Sequence, residues 1–265
     1  MLGAAAARVV VASAVLLDAR ALPSDAEDGA ADDTAGAEVA EDAGSAGAAA
    51  AAGVVVLLAA GATAGWAATI GISAAALLLS TAIGALTALA RRSAFLPLRY
   101  TAAAYVETVR GLPLLVLVLF GFYGIANAVG WNDRLSVGIV ILSLFSGAYI
   151  AEIIRAGIES VGRSQWDSAR AIGLTPVQTY RFVIFPQVLR QILPPVAGQF
   201  SSLIKDSSLL YIIGIPELTF AANQINSATY STFESFVPLG ICYLVLTLPV
   251  SLWTKYLESK VRYET

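Results

Sequence analysis

Long uncharged apolar runs alternate along the chain with short segments that hold most of its Arg and Lys. An apolar run of roughly 18 residues or more is long enough to cross the hydrocarbon core of a bilayer as a helix. Ala43 to Ala90 carries no charge, and its second half, "WAATIGISAAALLLSTAIGALTALA" at 66–90, predicts a first span ended by Arg91-Arg92. An additional span at 46–64 fits the same stretch. A second span starts near 101 and continues through "LPLLVLVLFGFYGIANAV", and "RLSVGIVILSLFSGAYIAEIIRAG" at 134–157 is a third. A fourth runs over about 188–205, followed by a shorter apolar piece at 207–215, and a fifth covers about 235–254. Between the third and fourth lies an organised polar segment, "RSQWDSARAIGLTPVQTYRFVIFPQ", at 163–187.

Composition fits that pattern. The 265 residues are 57% hydrophobic and 13% charged, with a mean hydropathy of +0.74, whereas a soluble domain carries about 25% charge. The expectation is an all-α integral membrane protein in contact with lipid. One Cys, Cys242, and no His leave no intrachain disulfide, no metal site built on His and Cys, and no Ser-His or Cys-His catalytic pair. Cys242 lies in an apolar run and reads as a packed thiol.

Residues 1–45 form a separate region: an apolar segment, 1–17, and then an Ala/Gly-rich tail with nine acids against one Arg between Asp18 and Ser45. Such a tail buries too little to fold and is expected to be disordered. The transmembrane domain is then 46–265, where 14 Lys and Arg face 10 acids, a net of +4. In a five-span arrangement 12 of the 16 basic residues fall on one side of the membrane. That side is cytoplasmic by the positive-inside rule, with the core N-terminus outside and the C-terminus inside.

The polar segment reads as two short helices. The first covers about 159–172. Gly173 stands just past its end, where the left-handed conformation costs glycine little. Thr175 is a candidate cap for the next helix, with Pro176 at its first position. That helix passes Tyr180 and Phe182 and is expected to stop near Pro186. The pair makes an L on the cytoplasmic face, suited to seating a soluble partner.

The segment resembles the EAA loop of binding-protein-dependent ABC transporter permeases. Asp167-Ser168-Ala169, then Gly173, then Ile184-Phe185-Pro186 align with that motif, with Asp for Glu and Ser for Ala. "ETVRGLPLLVLVLFGFYG", "AEIIRAGIESVGRSQWDSARAIGL" and "FPQVLRQILPPVAGQFSSLIKDSSLLYIIGIPELT" are similar to the polar amino-acid branch of the family. The likeness covers about 66–258. It implies a MetI-like bundle of about five core transmembrane helices with a cytoplasmic helix-turn-helix coupling loop at about 158–187. It implies the permease subunit of a bacterial cell-membrane importer, not an enzyme. The expected partners are an ABC ATPase subunit, an extracytoplasmic solute-binding protein and a second permease copy or related permease; no nucleic acid is expected. The chain itself is expected to bind no cofactor. It lacks a Walker loop, because none of its lysines follows a glycine, so ATP and Mg belong to the partner ATPase. Asp167, Ala169, Gly173, Thr175, Pro176 and Pro186 become the candidate ATPase-docking residues. A self-sufficient secondary carrier of small polar solutes is the alternative, but inverted repeats and coupling residues are not visible.

Charges near the spans are the candidates for a pathway or gate. Glu107 with Arg110, and Glu152 with Arg155, are spaced for i,i+3 pairs. Lys205 and Asp206 lie beside the fourth span, where charge is costly unless it faces water or the bundle interior. Glu217 after Pro216 is placed to cap a short outer helix. The polar side chains of Ser143, Ser146, Tyr149, Gln199, Ser201 and Ser202 either line a pathway or are satisfied within helix packing.

Overall fold

The computed structural model describes residues 64–262. The acidic tail and most of the additional span at 46–64 lie outside the described residues. Helices α1 (Ala64–Arg91), α2 (Leu96–Gly111), α3 (Leu114–Leu119), α4 (Arg134–Ser160), α5 (Arg163–Ala171), α6 (Pro176–Thr179), α7 (Phe185–Asp206), α8 (Leu218–Thr229) and α9 (Thr232–Arg262) follow in order. π-helical stretches follow α3 (Phe120–Ala126) and α6 (Tyr180–Ile184), and a 3-10 helix (Ser207–Ile213) follows α7.

The second span differs from its expected form. It is two pieces, Leu96–Gly111 and Leu114–Ala126, bent by 112°. Pro113 has no N–H to give and forces the residue before it out of the helical region, and Leu112 is indeed extended, at φ −100° and ψ 142°. Among the described residues three helices, α1, α4 and α9, are long and apolar enough to cross a membrane, or four if the bent pair counts as one span. The expected fourth span, α7, is long enough, but Gln187, Arg190, Gln191, Gln199, Lys205 and Asp206 dilute its apolarity.

The chain forms two compact units, whose boundaries fall inside α1, between Ile215 and Pro216, and inside α9. One holds, of the described residues, 64–68 with Pro216–Cys242. In it Glu217 is fully buried and caps α8, accepting hydrogen bonds from Thr219 N (2.9 Å) and Phe220 N (2.8 Å). The other holds Thr69–Ile215 and 243–262. Its centre is α4, which packs on α7 and α2. Small residues let α1 approach α4: a Cβ on Gly84 would stand 2.7 Å from Ile150, and one on Gly147 2.9 Å from Ile83. Close helix crossing through small residues is how membrane bundles gain contact when lipid is as apolar as their side chains. Ser73 Oγ of α1 donates to Leu203 O of α7 at 3.3 Å. Gly214 (φ +78°) ends the 3-10 helix in the left-handed region, with the Arg134 guanidinium where a side chain would project.

Candidate functional site: the loop at 163–187 and the charged cluster beside it

Helix α5 ends in a left-handed turn. Gly173 has φ +84°; its N–H donates to Arg170 O at 2.9 Å, and Leu174 N–H donates to Ala169 O at 3.1 Å. These two bonds are the Schellman pattern, which satisfies the last carbonyls of a helix. Thr175 then opens α6 with a capping box. Gln178 N donates to Thr175 Oγ1 (3.3 Å), and Thr175 N donates to Gln178 Oε1 (2.9 Å). Pro176 occupies the first helical turn. The elbow is therefore fixed from both sides.

The second arm does not stop at Pro186. Helix continues from α6 through the π stretch into α7, with Pro186 in the first turn of α7. A proline ring normally clashes with the carbonyl four residues earlier, and the wider i→i+5 rings of the π stretch accommodate it. Underneath, Ile158, Val161, Ile184 and Val188 are buried together, with Ile154, Trp166, Val183 and Ile192 against them. This small core joins the end of α4, α5 and the start of α7. Gln187 Nε2 donates to Val183 O (2.9 Å) and to Gln165 Oε1 (3.4 Å), and Ser160 Oγ donates to Gln191 Oε1.

Asp167, Gly173, Thr175, Pro176 and Pro186 are all exposed on this loop. Ala169 is buried and supports the turn from inside. The sequence reading missed the apolar tip: Ile172 is 76% exposed and Val177 77%, either side of the elbow, with Phe182 also exposed. The signal was present, because Ile172 and Val177 stand either side of the Gly173–Pro176 turn.

The charged candidates divide differently from expectation. Glu152 and Arg155 pair as the spacing predicted. Glu107 and Arg110 do not. Glu107 is exposed, and Arg110 instead comes 4.0 Å from Glu152 and lies 5.3 Å over the Tyr149 ring. Arg91 Nη1 also donates to Glu152 Oε2, at 2.8 Å, and Arg155 reaches on to Glu159 at 2.5 Å. Glu152 is thus the hub for three arginines from α1, α2 and α4. Helical spacing alone cannot reveal a partner contributed by another helix. Lys205 is exposed and Asp206 half-buried at the last turn of α7, where the 3-10 helix begins. Among the hydroxyls, Ser143 donates to Ile139 O (2.6 Å) and Ser201 pairs with Ser251 (3.4 Å), while Ser146 Oγ is buried without a partner among the described residues. Packing therefore satisfies some of these groups, and Ser146 stands apart.

The sequence model of the family described as binding-protein-dependent transport system inner membrane component matches residues 80–263. The chain belongs to this family. It is a multi-pass inner-membrane component of a transport system, with the MetI-like helical fold. Its relatives include a probable glutamine ABC transporter permease protein of Bacillus subtilis, 36% identical over 73% of this chain and 89% of that protein. A glutamate/aspartate import permease protein of Escherichia coli is 35% identical over 72% of this chain and 89% of its own. A solved amino acid ABC transporter with histidines superposes with a TM-score of 0.73 at 33% identity, covering 78% of this chain and 96% of that one. An inward-facing methionine ABC transporter, at 19% identity and a TM-score of 0.62, shares the fold.

Proposed function

We propose that this chain is the membrane-spanning permease of an ATP-driven ABC importer for polar amino acids. A solute-binding protein delivers the substrate outside, and a separate ATPase subunit binds Mg and ATP inside. The named relatives act on glutamine, glutamate and aspartate, which favours a polar amino acid as cargo. The observation that carries the coupling is the rigid elbow at 171–178 with its exposed Ile172 and Val177. An apolar tip on a capped turn fits a groove in a partner protein. In this reading 158–187 and the C-terminus are cytoplasmic, consistent with the side that gathers the arginines, and two permease subunits form the pathway. Movement of the ATPase pair pushes on the elbow. The Ile158–Val188 core transmits that push to α4 and α7.

The test is at Gly173. A β-branched residue at φ +84° is strained by about 1–2 kcal/mol, while its Cβ would meet no neighbour within 4 Å, so the penalty falls on the backbone of the turn. Gly173→Val is expected to reach the membrane at normal levels and to lose most bound ATPase and uptake. Asp167→Ala, which removes one exposed polar contact, is expected to lose less. Wild-type ATPase recovery and uptake in Gly173→Val, measured by purification through a tag on the permease, would defeat the docking assignment.

A further inference from the structure

Beside the Glu152 hub, Arg91, Arg92, Arg99, Tyr100, Ala103, Arg155 and Glu159 line an open pocket of about 340 Å³. Four arginines and one glutamate give this lining a net charge of +3. Arg91 and Arg155 are engaged with Glu152 and Glu159. Arg92 and Arg99 are exposed, and among the described residues neither has a carboxylate within 4.0 Å. Arg99 instead lies 5.8 Å from the Tyr100 ring centroid. Unpaired guanidiniums grouped in a concavity are suited to a phosphate, which they can grip bidentately.

The position of the pocket chooses among phosphates. It lies where α1 ends, α2 begins and α4 ends, and α1 and α4 are both long and apolar enough to cross a bilayer. It is therefore level with the headgroups. Around it Phe95, Leu96 and Leu98 are exposed, and Leu78, Leu86 and Leu89 form an exposed apolar strip along α1 that leads to Arg92. On a helix that crosses the bilayer these side chains face acyl chains, so a lipid at this place can lay its chains along the strip and its phosphate between the arginines. We infer that this pocket binds the phosphate of an anionic phospholipid of the surrounding membrane. Only the leaflet, the cytoplasmic one, rests on the orientation proposed above.

The experiment measures lipid binding and not uptake, so its failure is separable from failure of the transport reading. The full-length permease is purified in detergent and titrated with dioleoylphosphatidylglycerol, dioleoylphosphatidylcholine or inorganic phosphate, with bound lipid counted by native mass spectrometry. The wild type is expected to retain phosphatidylglycerol in preference to phosphatidylcholine. Arg92→Gln with Arg99→Gln is expected to weaken that retention about thirtyfold, since each basic residue near an anionic surface contributes a little over fivefold. Arg92→Lys with Arg99→Lys, which keeps the charge but loses the bidentate grip, is expected to fall between the wild type and the Gln pair and also controls for folding. Lys255→Gln with Lys260→Gln, an equal charge loss elsewhere, is expected to leave it within about twofold. The inference is overturned if phosphatidylcholine binds as well as phosphatidylglycerol, or if the Gln pair binds like wild type. It is equally overturned if the lysine control loses as much as the Gln pair, or if inorganic phosphate alone displaces the lipid.

Discussion

At the scale of single residues, local hydrogen bonding decides where helices begin. Asp133 caps α4 by accepting from Ser136 N at 3.1 Å. Ser136, through its hydroxyl first and its backbone N–H second, holds the Asp133 carboxyl below the ordinary carboxylate value. Because the folded value is the lower one, the stabilisation is present above the unfolded value of about 3.9 and is lost as pH falls through the folded value. Exchange of the amides at 134–136, corrected for intrinsic rate, is expected to speed up on acidification below about pH 4. Asp133→Ala should remove that dependence, and an unchanged pH profile in the variant would contradict the cap. Features of this kind were legible in the sequence, because a cap, a Pro and a Gly act within a few residues of themselves. Gly173, Thr175, Pro176 and Glu217 all stand where their local chemistry placed them. Glu107 and Arg110 were not legible. Their i,i+3 spacing permits a pair, and the stronger claim on Arg110 came from Glu152 and Tyr149, on another helix.

At the scale of elements, the elbow depends on its two caps more than on burial. Thr175→Ala removes the side-chain half of the capping box and is expected to cost about 1 kcal/mol. Amides of 177–179 should then exchange roughly fivefold faster, with those of α4 unchanged. Equal exchange in both proteins would show that packing alone holds the turn. Prolines explain two of the departures from the expected elements. Pro113 broke a run whose apolarity alone suggested one straight span, since hydropathy averages over the bend. Pro186 failed to stop a helix because the backbone before it widened into π geometry, an option that a residue pattern does not encode. The apolar dilution of α7 comes from polar side chains spread over its length, so it read as a span by length and not by composition.

At the scale of the whole molecule, the arrangement rests on ion pairs that cross between helices. Glu152→Gln leaves Arg91 without its counter-charge at a partly buried position and leaves Arg155 only Glu159, and is expected to cost about 1–3 kcal/mol. A double-mutant cycle with Arg91→Gln, followed by thermal unfolding in detergent, should show non-additivity above about 0.5 kcal/mol. Additive losses would mean that α1 and α4 are held by the Gly84–Gly147 crossing alone. The π stretch at Tyr180–Ile184 has a consequence at this scale too. Each residue of an α-helix turns the chain by about 100°, so the wider rings of these five residues set the compass bearing of the elbow about the axis of α7. A homologous chain with one residue more or fewer between Thr179 and Phe185 would keep every side chain of the elbow and aim it a quarter-turn or so away. The stretch works as a phase setting between two rigid bodies, and its length is as much a part of the fit to a partner as the identity of any residue that touches it.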